Sequence, residues 1–159
     1  MVGYEAKILP PKELQLRLKY ESNIVFTNGV FDILHRGHVT YLAHTKERFG
    51  GKLVVALNTD NSVKLLNKGD ARPYNNLQDR MAVVAALESV DYVTYFDEST
   101  PYELIELLKP QTIVKGGDYD MSKLPESELV KSWGGQAIAV PFEHNRSTTK
   151  LVEKIRNSN

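Results

Sequence analysis

The chain has 159 residues, 42% of them hydrophobic and 25% charged, which is the balance of a soluble globular domain. Its 20 basic and 20 acidic residues give a formal net charge of +0, so the basic surface of a nucleic-acid-binding protein is not expected. The absence of cysteine excludes disulfides and thiolate metal sites. The chain shows no signal-peptide core and no apolar run of roughly 18 residues, so we expect a cytoplasmic protein with no membrane segment.

Taken in chain order, apolar runs of strand length alternate with segments of helical periodicity. Residues 1–22 form an N-terminal extension with a short helix at 10–19 that begins at proline. Apolar runs bounded by polar or glycine residues predict strands at 24–26, 52–57, 92–96, 112–115 and 136–140. Helical periodicity predicts helices at 39–49, 77–87, 100–109 and 126–133. A last helix, capped by Ser147 or Thr148, is expected to face inward with Leu151, Val152 and Ile155.

This alternation predicts one α/β domain over residues 1–159, a Rossmann-like doubly wound sheet of five parallel strands with helices on both faces. A long polar segment at 58–76 interrupts the pattern, and a loop of that length in a compact domain is more often a functional lid than an idle connection. In such sheets, ligands bind outside the carboxyl ends of the strands. Segments rich in glycine, hydroxyl or charged side chains follow those ends at 27–38, 58–60, 115–118 and 146–149.

The stretch at 24–38 organises the rest of the chain. A buried strand opens into the turn 27–29, whose free N–H groups can bind an anion where the next helix starts. His35 and His38 follow with one residue and a glycine between them. Imidazole donors beside a phosphate can stabilise charge that develops during transfer. The alternative is that the two histidines cap the helix or satisfy buried carbonyl groups.

Four motifs together resemble the cytidylyltransferase-like nucleotidyltransferases: His35-x-Gly-His38, Asn58-Thr-Asp-Asn-Ser62, Lys115-Gly-Gly-Asp-Tyr119 and Ser147-Thr-Thr149. The resemblance runs from about Ile24 to Ile155. It implies direct transfer of AMP from ATP to heptose 1-phosphate, with release of pyrophosphate and with Mg²⁺ present. Small-molecule substrates are therefore the expected partners, and a homodimer is an assembly that the resemblance allows.

The resemblance also implies a role for each matching residue. The residues assigned to catalysis are His35, His38 and Lys46. Those assigned to ATP are Thr27, Asn28, Gly29, Val30, Phe31, Gly37, Lys115, Gly116, Gly117, Asp118, Ser147, Thr148 and Thr149. Those assigned to the sugar phosphate are Asp32, Asn58, Asp60, Lys68, Arg72 and Arg80. No residue is assigned to a metal.

Several of these assignments have a structural alternative. Asp32 could equally hold its loop by an Asx bond, and Lys46 could be a solvated lysine on the outer face of its helix. The glycines after Lys115 could form an ordinary turn, and the hydroxyls at 147–149 could serve as helix caps. Residues 144–146 depart from the glycine-containing loop of the family, so the contacts of this loop stay open.

Two other functions remain as alternatives. A glycerol 3-phosphate cytidylyltransferase, or another sugar- or polyol-phosphate nucleotidyltransferase, would use the same chemistry on another substrate. A non-catalytic nucleotide-binding module would bind ATP without releasing pyrophosphate. An NAD-dependent oxidoreductase is disfavoured, because no Gly-x-Gly-x-x-Gly follows the first strand.

Overall fold

The computed structural model of the protein describes residues 2–144 and 146–158. Its centre is a five-stranded sheet in which every strand pairing is parallel, with the order β3-β2-β1-β4-β5. The strands are β1 (Ile24–Gly29), β2 (Lys52–Asn58), β3 (Tyr92–Phe96), β4 (Thr112–Gly116) and β5 (Gln136–Val140). The predicted α/β class and all five predicted strands are confirmed.

Helices connect the strands. They are α1 (Pro11–Arg17), α2 (Arg36–Phe49), α3 (Asp60–Leu65), α4 (Leu77–Ala85), α5 (Tyr102–Leu108), α6 (Pro125–Lys131) and α7 (Thr148–Arg156). Short 3-10 turns occur at Gly3–Lys7 and Met121–Lys123. No helix in the described ranges is long and apolar enough to cross a bilayer.

The sheet is covered on both faces because successive strand residues point to opposite sides. Val25 packs in one core with α2 and α4, and the next residue, Phe26, packs in a second core with α1, α5 and α6. In β2, Val55 and Val54 divide between the two cores in the same way. The continuous apolar runs in the sequence are therefore those of strands buried on both sides.

The sheet opens between β1 and β4, where the strand order reverses. β1 pairs with β2 along its whole length, from Ile24 to Gly29. With β4 it pairs at Val25 and Phe26 alone, so the last residues of β1 have no strand partner on that side. Such a switch point is where ligands bind in open α/β sheets.

The polar segment 58–76 is shorter as a loop than the sequence suggests. α3 occupies part of it and begins at Thr59, whose hydroxyl accepts a hydrogen bond from the Ser62 N–H at 3.1 Å. The irregular part is 66–76, which ends where the Asn76 side chain caps α4. Side-chain caps at Thr59 and Asn76 mark the starts of α3 and α4, so the segment consists of a short helix followed by an irregular stretch.

The prediction for the last helix is wrong in its orientation. Leu151 is 40% exposed and Ile155 is 62% exposed, while Val152 is half-buried. α7 meets loops instead of a sheet face, since the Thr148 hydroxyl donates to the carbonyl of Ile33 at 3.1 Å. Its apolar side is therefore not part of either core.

Candidate active site

A cleft of about 670 Å³ opens at the carboxyl ends of β1, β2 and β4. Many of the predicted site residues line it, and they come from segments that are far apart in sequence. These are Asn28, Gly29, Val30, Phe31, His38, Asn58, Lys68, Lys115 and Gly116. The cleft lies at the opening between β1 and β4, as expected for this sheet order.

His35 and His38 form a stacked pair at the start of α2. Their ring centroids are 3.7 Å apart, and the ring planes are inclined by 23°. The backbone N–H of His35 donates to Nδ1 of His38 at 3.3 Å. A neutral imidazole that accepts at Nδ1 carries its proton on Nε2. His38 therefore presents an Nε2–H donor at the wall of the cleft.

The surroundings of both histidines favour the neutral imidazole by lowering the pKa of each ring. Burial lowers the pKa of His38 to about 4, and the neighbouring His35 acts in the same direction. The pKa of His35 is also lowered, by burial first and by the Arg146 charge second. Nδ1 of His35 is buried and has no hydrogen-bond partner among the described residues. The pair is suited to donate hydrogen bonds to an anion without carrying a charge beforehand.

Close packing around the histidines requires glycine at one position. A Cβ on Gly37 would lie 2.9 Å from the His35 ring and 3.2 Å from the carbonyl oxygen of His144. Phe31 supports the other side, with its ring edge against His38 at a centroid distance of 5.2 Å. Gly37 and Phe31, both assigned to ATP from the sequence, act here by positioning the imidazoles.

The far wall of the cleft brings a glycine between aromatic rings. A Cβ on Gly116 would lie 2.9 Å from the Phe142 ring and 3.2 Å from the Tyr41 ring. The ammonium of Lys115 lies 4.8 Å from the centroid of the Tyr119 ring. A flat group can approach the backbone here because no side chain projects from Gly116.

Four other residues assigned to ATP either bond to protein groups or are exposed to solvent. Gly117 adopts φ +119°, and its N–H bonds to the carbonyl of Val140 at 2.9 Å, so it also forms the turn after β4. Asp118 is exposed. The Thr27 hydroxyl is buried and bonds to the hydroxyl of Tyr41 at 2.7 Å, which leaves its backbone for any ligand role. Ser147 caps α7 by accepting from the Lys150 N–H at 3.0 Å, so the capping alternative holds for this residue.

Asp32 holds the segment beside the cleft. Its buried carboxylate accepts from the N–H groups of Tyr74 and Asn75 at 2.9 to 3.0 Å. The Asn75 amide donates in return to the carbonyl of Asp32 at 2.6 Å. Asp32 therefore has a structural role, as the alternative interpretation of the sequence proposed. Its hydrogen bonds reach a segment 42 residues away and do not close its own loop.

The segment fixed by Asp32 carries two cations next to the cleft. Arg72 lies 4.0 Å from the Asp32 carboxylate and donates to the Thr149 hydroxyl at 3.3 Å. Lys68 lines the cleft with an exposed side chain. Desolvation by nearby protein lowers the pKa of its ammonium, with the Arg72 charge acting in the same direction and Asp32 opposing it. Asp32, Lys68 and Arg72 therefore lie near one another.

The structure does not bring Arg80, which the sequence assigned to the sugar phosphate, to the cleft. Arg80 is 2% exposed, and each guanidinium nitrogen already donates to the protein. Its partners are the carbonyls of Asn75, Val30 and Asn58 and the carboxylate of Asp60, at 2.7 to 2.9 Å. Arg80 joins the loops after β1 and β2 to the segment before α4. Asp60 is thus a partner of Arg80. Asn58 lines the cleft, and its side-chain amide donates to the Ser62 hydroxyl.

The structure does not bring Lys46, which the sequence assigned to catalysis, to the cleft either. Its ammonium is bound by the Asp91 carboxylate at 2.6 Å and by the carbonyl of Gly51. Both partners lie just before strands, at the amino edge of the sheet and therefore opposite the cleft. Lys46 ties the end of α2 to the sheet.

Sequence reasoning missed three residues of the cleft wall. Tyr41 lies behind Gly116, and burial raises the pKa of its hydroxyl to about 12 despite the hydrogen bonds from Thr27 and Thr45. Phe142 packs edge-on against Tyr41 with centroids 5.6 Å apart. Glu126 lines the cleft from the first turn of α6. In the sequence, Glu126 looks like an ordinary first-turn acidic residue, so no local pattern identifies it.

Of the loop at 144–146, residue 145 lies outside the described residues, and the Arg146 N–H bonds to the carbonyl of His144 at 2.9 Å.

The sequence matches one family model and several named relatives. A family model described as cytidylyltransferase-like matches residues 26–155. The D-beta-D-heptose 1-phosphate adenylyltransferase of Bordetella bronchiseptica is 58% identical over 156 residues, which cover 96% of each chain. The bifunctional protein HldE of Hahella chejuensis is 53% identical over 133 residues, which are 84% of this chain and 28% of that longer protein.

Solved structures share the fold. The lipopolysaccharide core biosynthesis protein of Thermoplasma volcanium has a TM-score of 0.61 and 29% identity, covering 78% of this chain and 98% of that one. A pantoate-beta-alanine ligase of Francisella tularensis also has a TM-score of 0.61, but its 17% identity supports the fold alone. It covers 95% of this chain and 79% of its own. The fold, the paired histidines in the cleft and the match over residues 26–155 agree, and the chain belongs to the cytidylyltransferase-like family.

Proposed function

We propose that the protein transfers AMP from ATP to D-glycero-β-D-manno-heptose 1-phosphate, giving ADP-heptose and pyrophosphate. The observation that carries this proposal is the stacked histidine pair, of which His38 lines a cleft that Lys68 and Lys115 also line. The identity of the sugar rests on the 58% identical heptose 1-phosphate adenylyltransferase.

In the proposed reaction, an oxygen of the sugar phosphate attacks the α-phosphorus of ATP. The new phosphorus–oxygen bond forms as the bond to the β-phosphate oxygen breaks, and the electron pair leaves with pyrophosphate. Such a transfer needs positioning and charge stabilisation rather than a protein nucleophile. In this proposal His38 and His35 donate hydrogen bonds to the α- and β-phosphate oxygens, where negative charge grows.

The remaining assignments follow the two sides of the cleft. The backbone at Asn28 to Phe31 and the start of α7 supply N–H groups to the triphosphate, because a helix start favours an anion. The open backbone at Gly116 and Gly117 accepts the adenine. Lys68 and Arg72 bind the phosphate of the sugar, and Asp32 holds the segment that carries them.

Mg²⁺ enters this proposal as part of the substrate. The described residues contain no group of three or more His, Cys, Asp or Glu side chains that could hold a metal ion. Mg²⁺ commonly binds through substrate phosphates with few protein ligands, which fits a cleft of this composition. The ion would neutralise charge on the triphosphate and is carried in with ATP.

The test is a pyrophosphate-release screen of ATP and CTP against heptose 1-phosphate, other sugar 1-phosphates and glycerol 3-phosphate. We expect release with ATP and heptose 1-phosphate at a rate well above every other pair. Release mainly with CTP and glycerol 3-phosphate would favour the cytidylyltransferase alternative. ATP binding with no release for any acceptor would indicate a non-catalytic module.

A cytoplasmic location and a homodimer stay predictions, and sedimentation of the purified protein tests the second.

A further inference from the structure

We infer that the carboxylate of Glu126 recognises hydroxyl groups of the sugar phosphate acceptor. This inference rests on the proposed function and adds a specificity-determining residue to it. Glu126 is 9% exposed and lines the cleft. The structure gives its side chain no hydrogen bond and no ion pair with any described residue. Its oxygens are not among the buried polar atoms that lack a partner, so the carboxylate opens into the cleft, where a ligand can donate hydrogen bonds to it.

Glu126 is one of a few polar residues beside an otherwise apolar recess. A narrow recess below the cleft is lined by apolar side chains, including Phe26, Ile105 and Met121. Three polar residues line both the recess and the cleft: Asn28, Lys115 and Glu126. An amide, an ammonium and a carboxylate supply both donors and acceptors, which is what a polyhydroxylated group requires.

The charge of Glu126 decides which part of a substrate lies there. A carboxylate accepts hydrogen bonds and repels phosphate, so a neutral, hydroxyl-bearing group fits and a phosphate does not. Glu126 belongs to the wall made by α5 and α6 with Pro101 and Leu124. The nucleotide wall at Gly116, with Tyr41 and Phe142, lies on the α2 side of the sheet. The heptose is therefore assigned to Glu126 in preference to the ribose of ATP.

The first test compares Glu126→Gln and Glu126→Asp with Glu128→Gln as the matched control. Glu128 lies on the same helix, is exposed and pairs with Lys131 at 3.8 Å. A lost hydrogen bond to a charged acceptor predicts that both Glu126 variants raise KM for heptose 1-phosphate by about 10- to 100-fold. KM for ATP and the urea midpoint stay near those of the parent protein. Glu128→Gln is expected to match the parent protein in all three measurements.

The second test does not depend on how well the variants fold. Acceptors that lack one hydroxyl at a time are assayed with the parent protein, and at least one deletion should lower kcat/KM by about 10-fold or more. With Glu126→Gln, the same deletion should cost several-fold less, because the partner of that hydroxyl is already changed.

Three results would overturn the inference. One is an unchanged KM for heptose 1-phosphate in both Glu126 variants while the parent protein turns over normally, and this leaves the proposed function intact. Another is a rise in KM for ATP alone, which would assign Glu126 to the ribose or adenine. A parent protein that releases no pyrophosphate with any sugar phosphate would overturn the proposed function and this inference together.

Discussion

The backbone N–H of His35 donates to Nδ1 of His38, and the two imidazole rings stack at a centroid distance of 3.7 Å. This contact fixes both the orientation and the tautomer of His38, since an accepting Nδ1 leaves the proton on Nε2. One local hydrogen bond at a helix start therefore fixes the donor of a histidine three positions further along the chain. The predictions that follow test this pair and the side chains around it.

Replacing His38 with alanine should remove the donor without disturbing the fold. We expect kcat for pyrophosphate release to fall by about 10²-fold or more, because the donor acts where charge develops in the transition state. The urea midpoint should change little. His44→Ala is the control, since His44 lies on the same helix with a half-exposed side chain that pairs with Glu143 at 3.4 Å. Near-parental turnover in His38→Ala would contradict the role given to this residue.

The titration of His38 is a second test. Its pKa is lowered to about 4 by burial, so a two-dimensional NMR titration of the free protein should show a midpoint near that value. Adding ATP should raise the midpoint, because negative phosphates beside the ring favour the imidazolium. A midpoint at the ordinary histidine value of 6.5 would contradict the buried, neutral pair.

The same shift predicts how stability depends on pH. The unfolded chain binds a proton at His38 near pH 6.5, whereas the folded chain does so only near pH 4. Between these values the unfolded state binds more protons, so this residue makes the free energy of unfolding rise with pH. Stability is thus lost as pH falls through the window. Urea unfolding should show a shallower pH dependence in His38→Ala than in the parent protein, and equal slopes would contradict the prediction.

Arg80 is expected to be a determinant of stability. Its removal leaves three carbonyls and the Asp60 carboxylate without their donor. Arg80→Ala should lower the free energy of unfolding by about 3 kcal/mol, because three carbonyls lose a charged donor, while the half-exposed Asp60 carboxylate adds little. Arg80→Lys should recover little, because an ammonium cannot reproduce the guanidinium fork. A decrease in the free energy of unfolding below about 1 kcal/mol would show that the hydrogen bonds of Arg80 contribute little to stability.

Lys46 provides the opposite test. Its half-buried pair with Asp91 lies at the amino edge of the sheet, so Lys46→Ala should leave kcat and both KM values within about twofold of the parent protein. The free energy of unfolding should fall by about 1 kcal/mol or less. A tenfold loss of turnover at unchanged stability would return Lys46 to the catalytic machinery.

The fold could be predicted because its signals are local. Each strand is a continuous apolar run, and the switch point follows from the alternation of strands and helices. The histidine pair was also accessible, because His35, Gly37 and His38 are close in sequence and directly follow a strand. Gly116 was found at the end of another strand for the same reason.

The side chains that the structure places away from their expected positions have partners distant in sequence. Lys46 and Asp91 are 45 residues apart, and Arg80 bonds to the carbonyl of Val30 across 50 residues. A cation in a sequence looks the same whether it faces phosphate or ties two loops together. The exposed Leu151 and Ile155 of α7 were misassigned because amphipathic spacing does not say which surface a helix meets.

The central claim is that this cleft transfers AMP to a heptose 1-phosphate, and product analysis tests it most directly. The parent protein and His38→Ala are incubated with Mg²⁺, ATP and D-glycero-β-D-manno-heptose 1-phosphate, and products are identified by phosphorus NMR and mass spectrometry. The account predicts ADP-heptose and pyrophosphate in equal amounts from the parent protein, with about 10²-fold slower formation in His38→Ala. The absence of ADP-heptose from the parent protein, with bound ATP left intact, would contradict it.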